Sequence, residues 1–302
     1  MKKILALLLI TLSLAVSAKE TWTIVYSWQP SDPAAGFYRT LIEEANKTQN
    51  KYRFVLDFKP GAGGSIAARH VESTPNTILA NSSALFIRPL FFPESSHNVA
   101  NFKSLMPMCV APMLVFSGKY KSWEEVPKDK PLSIGMSGMG TTTHLVATQI
   151  AVKYPNINIV AFKSTSEALL STVAGNTDFS VGFMGETNPW LNPVNGKQVY
   201  VLGVTGKHKL NDIKPLTTYG FPEILGSMSS PQQLFASRKM PDTQFNEIRE
   251  IFVESARHRS VIAANAVDFC RPNNQMPTSE IDQWFNSQLV TWRRIFKSIN
   301  PS

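Results

Sequence analysis

The residues best suited by type and spacing to do chemistry lie in one run, Ser137-Gly-Met-Gly-Thr-Thr-Thr-His144. Gly138 and Gly140 permit a tight turn that brings backbone close to a ligand. Upstream, Leu132 to Met136 reads as a short buried strand. Downstream, Leu145, Val146, Ile150 and Ala151 carry an apolar stripe at helical spacing. A threonine is a good N-cap, and the first turn of a helix leaves backbone N–H groups without partners. Strand, glycine turn and hydroxyl-rich helix start therefore make an anion site, suited to a carboxylate or a phosphate. An ordinary strand-to-helix turn with a threonine cap is the other reading of the same residues.

The run departs from the known catalytic signatures. Thr143 stands where a dinucleotide fingerprint has its third glycine, and no lysine follows Gly140 as in a phosphate-binding loop. Gly135-Met-Ser-Gly-Met139 lacks the last glycine of a nucleophile elbow. No Ser or Cys sits in a recognisable setting with a His and an acid, so the chain reads as a non-enzyme. The five histidines do not cluster, and no C-x-x-C is present, so no metal or other cofactor is expected.

The elements that must position this run alternate. Trp22 to Ser27, Tyr52 to Phe58 and Thr77 to Asn81 read as strands, with helices expected over Phe37 to Lys47 and Ile66 to Val71. Leu105 to Phe116 is an apolar run long enough to leave one domain and enter another. Ile157 to Phe162, Asp178 to Phe183 and Val199 to Val204 are further strands, and Ser164 starts a helix through Val173. Gln233 to Ser237 looks like a strand returning to the first domain. Asp242 caps a helix carrying Phe245, Ile248, Ile251 and Phe252. The last helix, Ser279 to Ile299, has a Ser279-x-x-Asp282 capping box and buries Ile281, Phe285, Leu289 and Trp292. This is the α/β pattern, in which ligands sit in loops at the carboxyl ends of strands. Two α/β domains joined by two crossing strands enclose a cleft, divided as residues 19–115 plus 235–302 and residues 116–234. A hinged cleft without a catalytic motif argues for a solute-binding protein.

Met1 to Ala18 reads as a secretory signal, with Lys2 and Lys3, an apolar core and a Val16-Ser17-Ala18 cleavage site. The mature protein is expected from Lys19, in the periplasm. Losing Lys2 and Lys3 takes the formal charge from +8 to +6. The excess is dispersed, so nucleic acid is not an expected partner, while a mild positive field would attract an anion. Cys109 and Cys270 either bridge in an oxidising compartment or remain two buried thiols.

Four segments carry a resemblance. Lys59-Pro-Gly-Ala-Gly-Gly-Ser65, the run Ser137 to Leu145, Val173-Ala-Gly-Asn-Thr-Asp178, and the closing helix with Trp292 resemble the extracytoplasmic solute receptors of tripartite tricarboxylate transporters, the Bug family. Order and spacing fit over nearly the whole mature chain. The resemblance implies a type II periplasmic-binding-protein fold and capture of a small carboxylate between the domains. It also implies delivery to membrane permease subunits, with the receptor a monomer. A receptor of the same fold signalling to a sensor is the alternative, and an exported hydrolase a lesser one. One departure is plain. The family's first loop runs Pro-x-Gly-Gly-x-x-Asp, whereas here it is Tyr26-Ser-Trp-Gln-Pro-Ser-Asp-Pro-Ala-Ala35. That loop contacts ligand in the family, so Trp28, Gln29 and Ser31 join the candidates, with Trp28 either stacking on a ring or packing.

The remaining candidates follow from the same comparison. Ser137, Gly140, Thr141, Thr142 and Thr143 are expected to hold the carboxylate. His144 either orients a threonine hydroxyl or packs internally. Ala62, Gly63, Gly64 and Ser65 are expected to offer N–H donors from the opposite wall, so that one carboxylate bridges the two turns. Ser82, Ser83 and Ala84 end a strand beside the cleft. Asp178 either accepts from a ligand or fixes a loop. Phe183, Met184 and Glu186 follow a strand and close the pocket floor. Glu186 would repel an anion unless the ligand carries a compensating donor or the side chain points away.

Overall fold

The computed structural model describes residues 19–94, 96–192, 196–265, 271–272 and 276–299. The secretory signal over residues 1–18 and Cys270 lie outside the described residues. Cys109 is disulfide-bonded.

The strands and helices run β1 (Glu20–Tyr26), α1 (Pro33–Lys47), β2 (Tyr52–Phe58), α2 (Ser65–Ser73), β3 (Thr77–Ser82), α3 (Ala84–Phe91), β4 (Phe102–Ala111) and β5 (Leu114–Ser117). Then come β6 (Leu132–Met136), α4 (Thr142–Lys153), β7 (Ile157–Ala161), α5 (Thr165–Val173), β8 (Phe179–Gly182), α6 (Met184–Thr187) and β9 (Tyr200–Val204). The chain closes with β10 (Ser230–Ser237), α7 (Asp242–Ala256), α8 (Arg259–Asn265), β11 (Arg271–Pro272) and α9 (Thr278–Ile299). Among the described residues the strands form two sheets. One has the order β11-β4-β10-β3-β1-β2, and the other β7-β6-β8-β5-β9.

Each sheet is parallel where helices cross over it and antiparallel where the chain enters or leaves. β1 runs parallel to β2 and β3, and β6 parallel to β7 and β8. β3 is buried along its whole length, as a strand covered on both faces must be. The apolar run near Leu105 divides at Pro112, where β4 ends in the first sheet and β5 begins the second. The return comes at Ser230, ahead of the expected Gln233. Pro231 argues against a central strand by sequence, because it cannot donate to a ladder. β10 accepts it beside an irregular register against β4, between Gln232 and Gln233.

Helix α1 begins four residues before the expected Phe37, with Asp32 at the N-cap and Pro33 in its first turn. Proline suits that place because its missing N–H would be unpartnered there anyway. Its buried Phe37, Tyr38, Leu41 and Ile42 cover the first sheet, each worth about 1.5–3 kcal/mol if fully buried. The closing helix α9 lays Phe285 against Phe86 and Phe235, at ring distances of 5.2 and 6.1 Å. Ile281 and Trp292 are buried with it, and Leu289 is half-buried. In the second sheet Trp123 stacks on Tyr154 and Phe179 and donates its indole N–H to Leu202 O at 2.8 Å.

Candidate functional site

A cavity of about 50 Å³ lies between the two sheets. From the first half it takes Tyr26 at the end of β1, Trp28 after it, Ser82 at the end of β3, Asp32 at the N-cap of α1 and Phe37 within that helix. From the second it takes Ser137 after β6, Thr141, Thr142 and Thr143 at the start of α4, and Phe183 after β8. These are carboxyl ends of parallel strands, where the open ends of sheets meet ligands. β10 adds Ser230 and Gln232, and Gln232 pairs in register with Ser82 on one side and Cys109 on the other.

The glycine turn before α4 uses positive φ at Gly138 (93°) and Gly140 (75°), a conformation glycine adopts without strain. Thr141 is the N-cap, and its Oγ1 accepts the His144 N–H at 3.2 Å. The same hydroxyl donates to Gly138 O at 2.8 Å. Thr143 Oγ1 lies 2.9 Å from both Ser137 Oγ and Thr141 Oγ1 and accepts the Ser137 N–H at 3.1 Å. The amides of Thr142 and Thr143, the first two of the helix, have no acceptor among the described residues. A buried helix start with two open N–H groups and a hydroxyl network is arranged to accept a carboxylate.

His144 does not line the cavity. Its Nδ1 accepts the Gly140 N–H at 3.2 Å, and Phe91 meets the ring edge-on at 5.1 Å. Burial, with Arg88 nearby, pushes its pKa down to about 4, so the ring is neutral and ready to accept that bond. The Gly140 amide is thereby spent inside the turn.

Several expected contacts fall elsewhere. Ala62 and Gly63 line a neighbouring cavity with Gly138, Met139 and Arg88, and the two cavities share Ser137. A Cβ on Gly63 would stand 2.9 Å from Met139 O, so protein already fills the gap that a bridging carboxylate would need. Gly64 packs against the Asn81 amide. Ser65 is fully buried, and its Oγ pairs with His97 Nδ1 at 3.2 Å. Gln29 is half-buried and Ser31 exposed, because a turn closed by Asp32 N–H to Gln29 O lifts the tip of that loop away. Met184 is packed in the second-sheet core with Leu114, Phe116 and Leu169. Asp178 stands at the start of β8, the end of the sheet away from the cavity, and accepts the Ser133 N–H and Oγ–H at 2.9 and 3.1 Å. These bonds hold the start of β6 to the residue before β8. Ser83 bonds Thr142 across the cleft, and Ala84 lies buried beneath.

Sequence reasoning missed Gln232, Ser230, Thr165 and Asp32, all of which line the cavity. The Asp32-Pro33 pair was the available signal for Asp32, as an N-cap followed by a first-turn proline. Glu186 also lines the cavity, with its carboxylate accepting from Phe183 N–H, Thr165 Oγ–H and Ser166 Oγ–H. Among the described residues no group of three His, Cys, Asp or Glu side chains is placed to hold a metal ion.

The sequence profile of the tripartite tricarboxylate transporter family receptors, TctC, matches residues 38–300. The chain belongs to this family. Its fold matches the periplasmic binding protein BugD at 15% identity, with 93% of this chain and 98% of that one covered and a TM-score of 0.82. It matches Rpa4515 of R. palustris, solved with adipate, at 17% identity, with 93% and 97% covered and a TM-score of 0.79. MatC of Rhodopseudomonas palustris, solved with bound malate, matches at 16% identity, with 92% and 99% covered and a TM-score of 0.77. These likenesses establish the two-domain periplasmic-binding fold. No curated protein matches the sequence significantly.

Proposed function

We propose that this receptor works in the periplasm, capturing a small carboxylate between its two sheets and handing it to the permease subunits of a tripartite tricarboxylate-type transporter. The observation that carries the reading is the pair of open amides at Thr142 and Thr143, set in a buried cavity beside the hydroxyls of Ser82 and Ser137. The adipate and malate named for two structural neighbours are carboxylates of the expected size and support it. The receptor acts as a monomer released from a leader at residues 1–18, with domains at residues 19–115 plus 235–302 and residues 116–234.

Binding works by closure. Arg88 of α3 donates to Met139 O, Ser83 bonds Thr142, and Ser166 bonds Asp32, each joining the two halves. A carboxylate on the α4 amides favours the state in which these bonds exist and shifts the population towards it. Thermal unfolding of residues 19–302 against C3–C8 mono- and dicarboxylates tests the reading. A ligand at about 100 times its Kd adds about 2.7 kcal/mol of stability. If no carboxylate raises Tm, the reading fails.

A further inference from the structure

The strand that returns to the first sheet brings two neutral polar side chains to the cavity. Ser230 and Gln232 of β10 both line it, two residues apart, so they share one face of the strand. Gln232 is paired with Ser82 and Cys109, which also line the cavity, so its side chain turns to the same space. It is 7% exposed, and its Oε1 is buried with no hydrogen-bond partner. A buried acceptor without a donor is costly, and this one stands on the wall of a binding cavity instead of in a packed core. Among the described residues, no lysine, arginine or histidine lines that cavity.

In the reading above, the α4 amides hold one carboxylate. The other end of the ligand then meets a side-chain amide with an open acceptor, and no cation. An ionised carboxylate only accepts, so a second one would leave Gln232 Oε1 unsatisfied and set oxygen against oxygen. An apolar end would leave it unsatisfied too. A carboxamide or a hydroxyl donates to Oε1 and can accept from the Ser230 hydroxyl in return. Trp28 and Phe37, on the same cavity, favour an apolar body between the two ends. We propose that Gln232 is a specificity-determining residue of this receptor, reading a neutral donor on a monocarboxylate ligand. The carboxylate sits on the Thr142 and Thr143 amides, and the carboxamide or hydroxyl meets Gln232. This rests on the carboxylate reading and narrows it.

Matched series that differ only in the far end separate the two. Succinamate, glutaramate and 4-carbamoylbenzoate carry the carboxamide, and 4-hydroxybutyrate, 5-hydroxypentanoate and 4-(hydroxymethyl)benzoate the hydroxyl. Each is titrated calorimetrically into residues 19–302 beside its dicarboxylate (succinate, glutarate, terephthalate) and its apolar counterpart (4-methylpentanoate, 5-methylhexanoate, 4-isopropylbenzoate). Butyramide, pentanamide and 4-methylbenzamide keep the carboxamide and lack the carboxylate. On at least one scaffold the carboxamide or hydroxyl acid should bind about tenfold or more tighter than both the dicarboxylate and the apolar acid, since a site built to bond a donor rejects the analogue without one. Gln232→Leu should cut that preference at least about fivefold, with folding checked by thermal melt, and Gln232→Met replaces it if the leucine variant does not fold. Dicarboxylates or apolar acids that bind as tightly on every scaffold would overturn the inference and leave the carboxylate reading intact. A preference that survives loss of the Gln232 amide would do the same. Amides without a carboxylate that bind as tightly as the acids, or silence throughout, would overturn both.

Discussion

The chain contains two glycine turns that look alike and do different work. Both follow a strand and open a helix, and both place a neutral histidine against the turn. Before α2, Gly64 caps the helix in a left-handed conformation with no side-chain cap, Ser65 is taken by His97, and Gly63 abuts Met139 of the other half. Before α4, Thr141 caps the helix, His144 takes the Gly140 amide, and the amides of Thr142 and Thr143, two residues lining the cavity, have no acceptor among the described residues. The first turn packs against the other half of the molecule, and the second leaves two helix-start amides without an acceptor among the described residues. What separates them is where the helix-start donors go, which glycine spacing does not encode.

The largest expected effect tests the histidine of the second turn. His144 titrates near 6.5 when unfolded and at about 4 in the fold. Between those values the unfolded chain holds more protons, so stability falls as pH drops from about 6.5 to about 4 and levels below. The differential is on the order of 3 kcal/mol. His97 is also held below its ordinary value by burial and adds to the same slope. Denaturant midpoints measured across that window should fall for the native chain and fall less for His144→Asn, whose amide oxygen can still accept from Gly140. Identical slopes would remove His144 from the turn's support.

The next effect isolates a backbone donor. Thr142 is the first residue of α4, where proline is tolerated, and Thr141 is already extended, as a residue before proline must be. Thr142→Ala removes only the hydroxyl that bonds Ser83, while Thr142→Pro removes the amide as well. The proline variant should bind a carboxylate about 10–100-fold more weakly than the alanine variant, matching about 1.5–3 kcal/mol for a hydrogen bond to charge. Equal affinities would mean the anion sits elsewhere.

Gly63→Ala breaks the comparison from the other side. The new Cβ would meet Met139 O at 2.9 Å with φ at +58°. Gly175→Ala shares the positive φ, at +81°, but meets nothing within 4 Å. Both should lose about 1–2 kcal/mol from the left-handed backbone. Only Gly63→Ala should also weaken ligand binding, because it obstructs closure. Parallel loss of affinity in the two variants would show that the Gly63 contact does not limit closure.

The elements were legible in the sequence where the signal is local. β6 and α4 lie where strand content, two glycines and an apolar stripe put them. The buried Ile281, Phe285 and Trp292 of α9 follow from helical spacing alone. Legibility failed where a partner far along the chain decides. Gln232 reaches the cavity because β10 is threaded between β3 and β4, although its neighbour Pro231 is a residue that central strands disfavour. Ser65 read as an N–H donor to ligand, yet its N–H turns back to Ala62 O and its hydroxyl meets His97, 32 positions later. Asp178 read equally as a ligand acceptor or a loop anchor, because only register shows that the start of β8 lies at the far end of the sheet.

The smallest effect bears on Ser65 directly. Its hydroxyl donates to His97 Nδ1, since His97 Nε2 must carry the proton given to Leu85 O at 2.8 Å. That chain ties the start of α2 to α3, the helix that carries Arg88 to Met139. Ser65→Ala removes one buried neutral hydrogen bond, so stability should fall by about 1 kcal/mol in a denaturant titration. Ligand affinity should move less than about threefold, because the hydroxyl lies outside the cavity and the amides of α4 are untouched. A fall in affinity of tenfold with stability unchanged would return the first turn to the binding site and erase the distinction between the two turns.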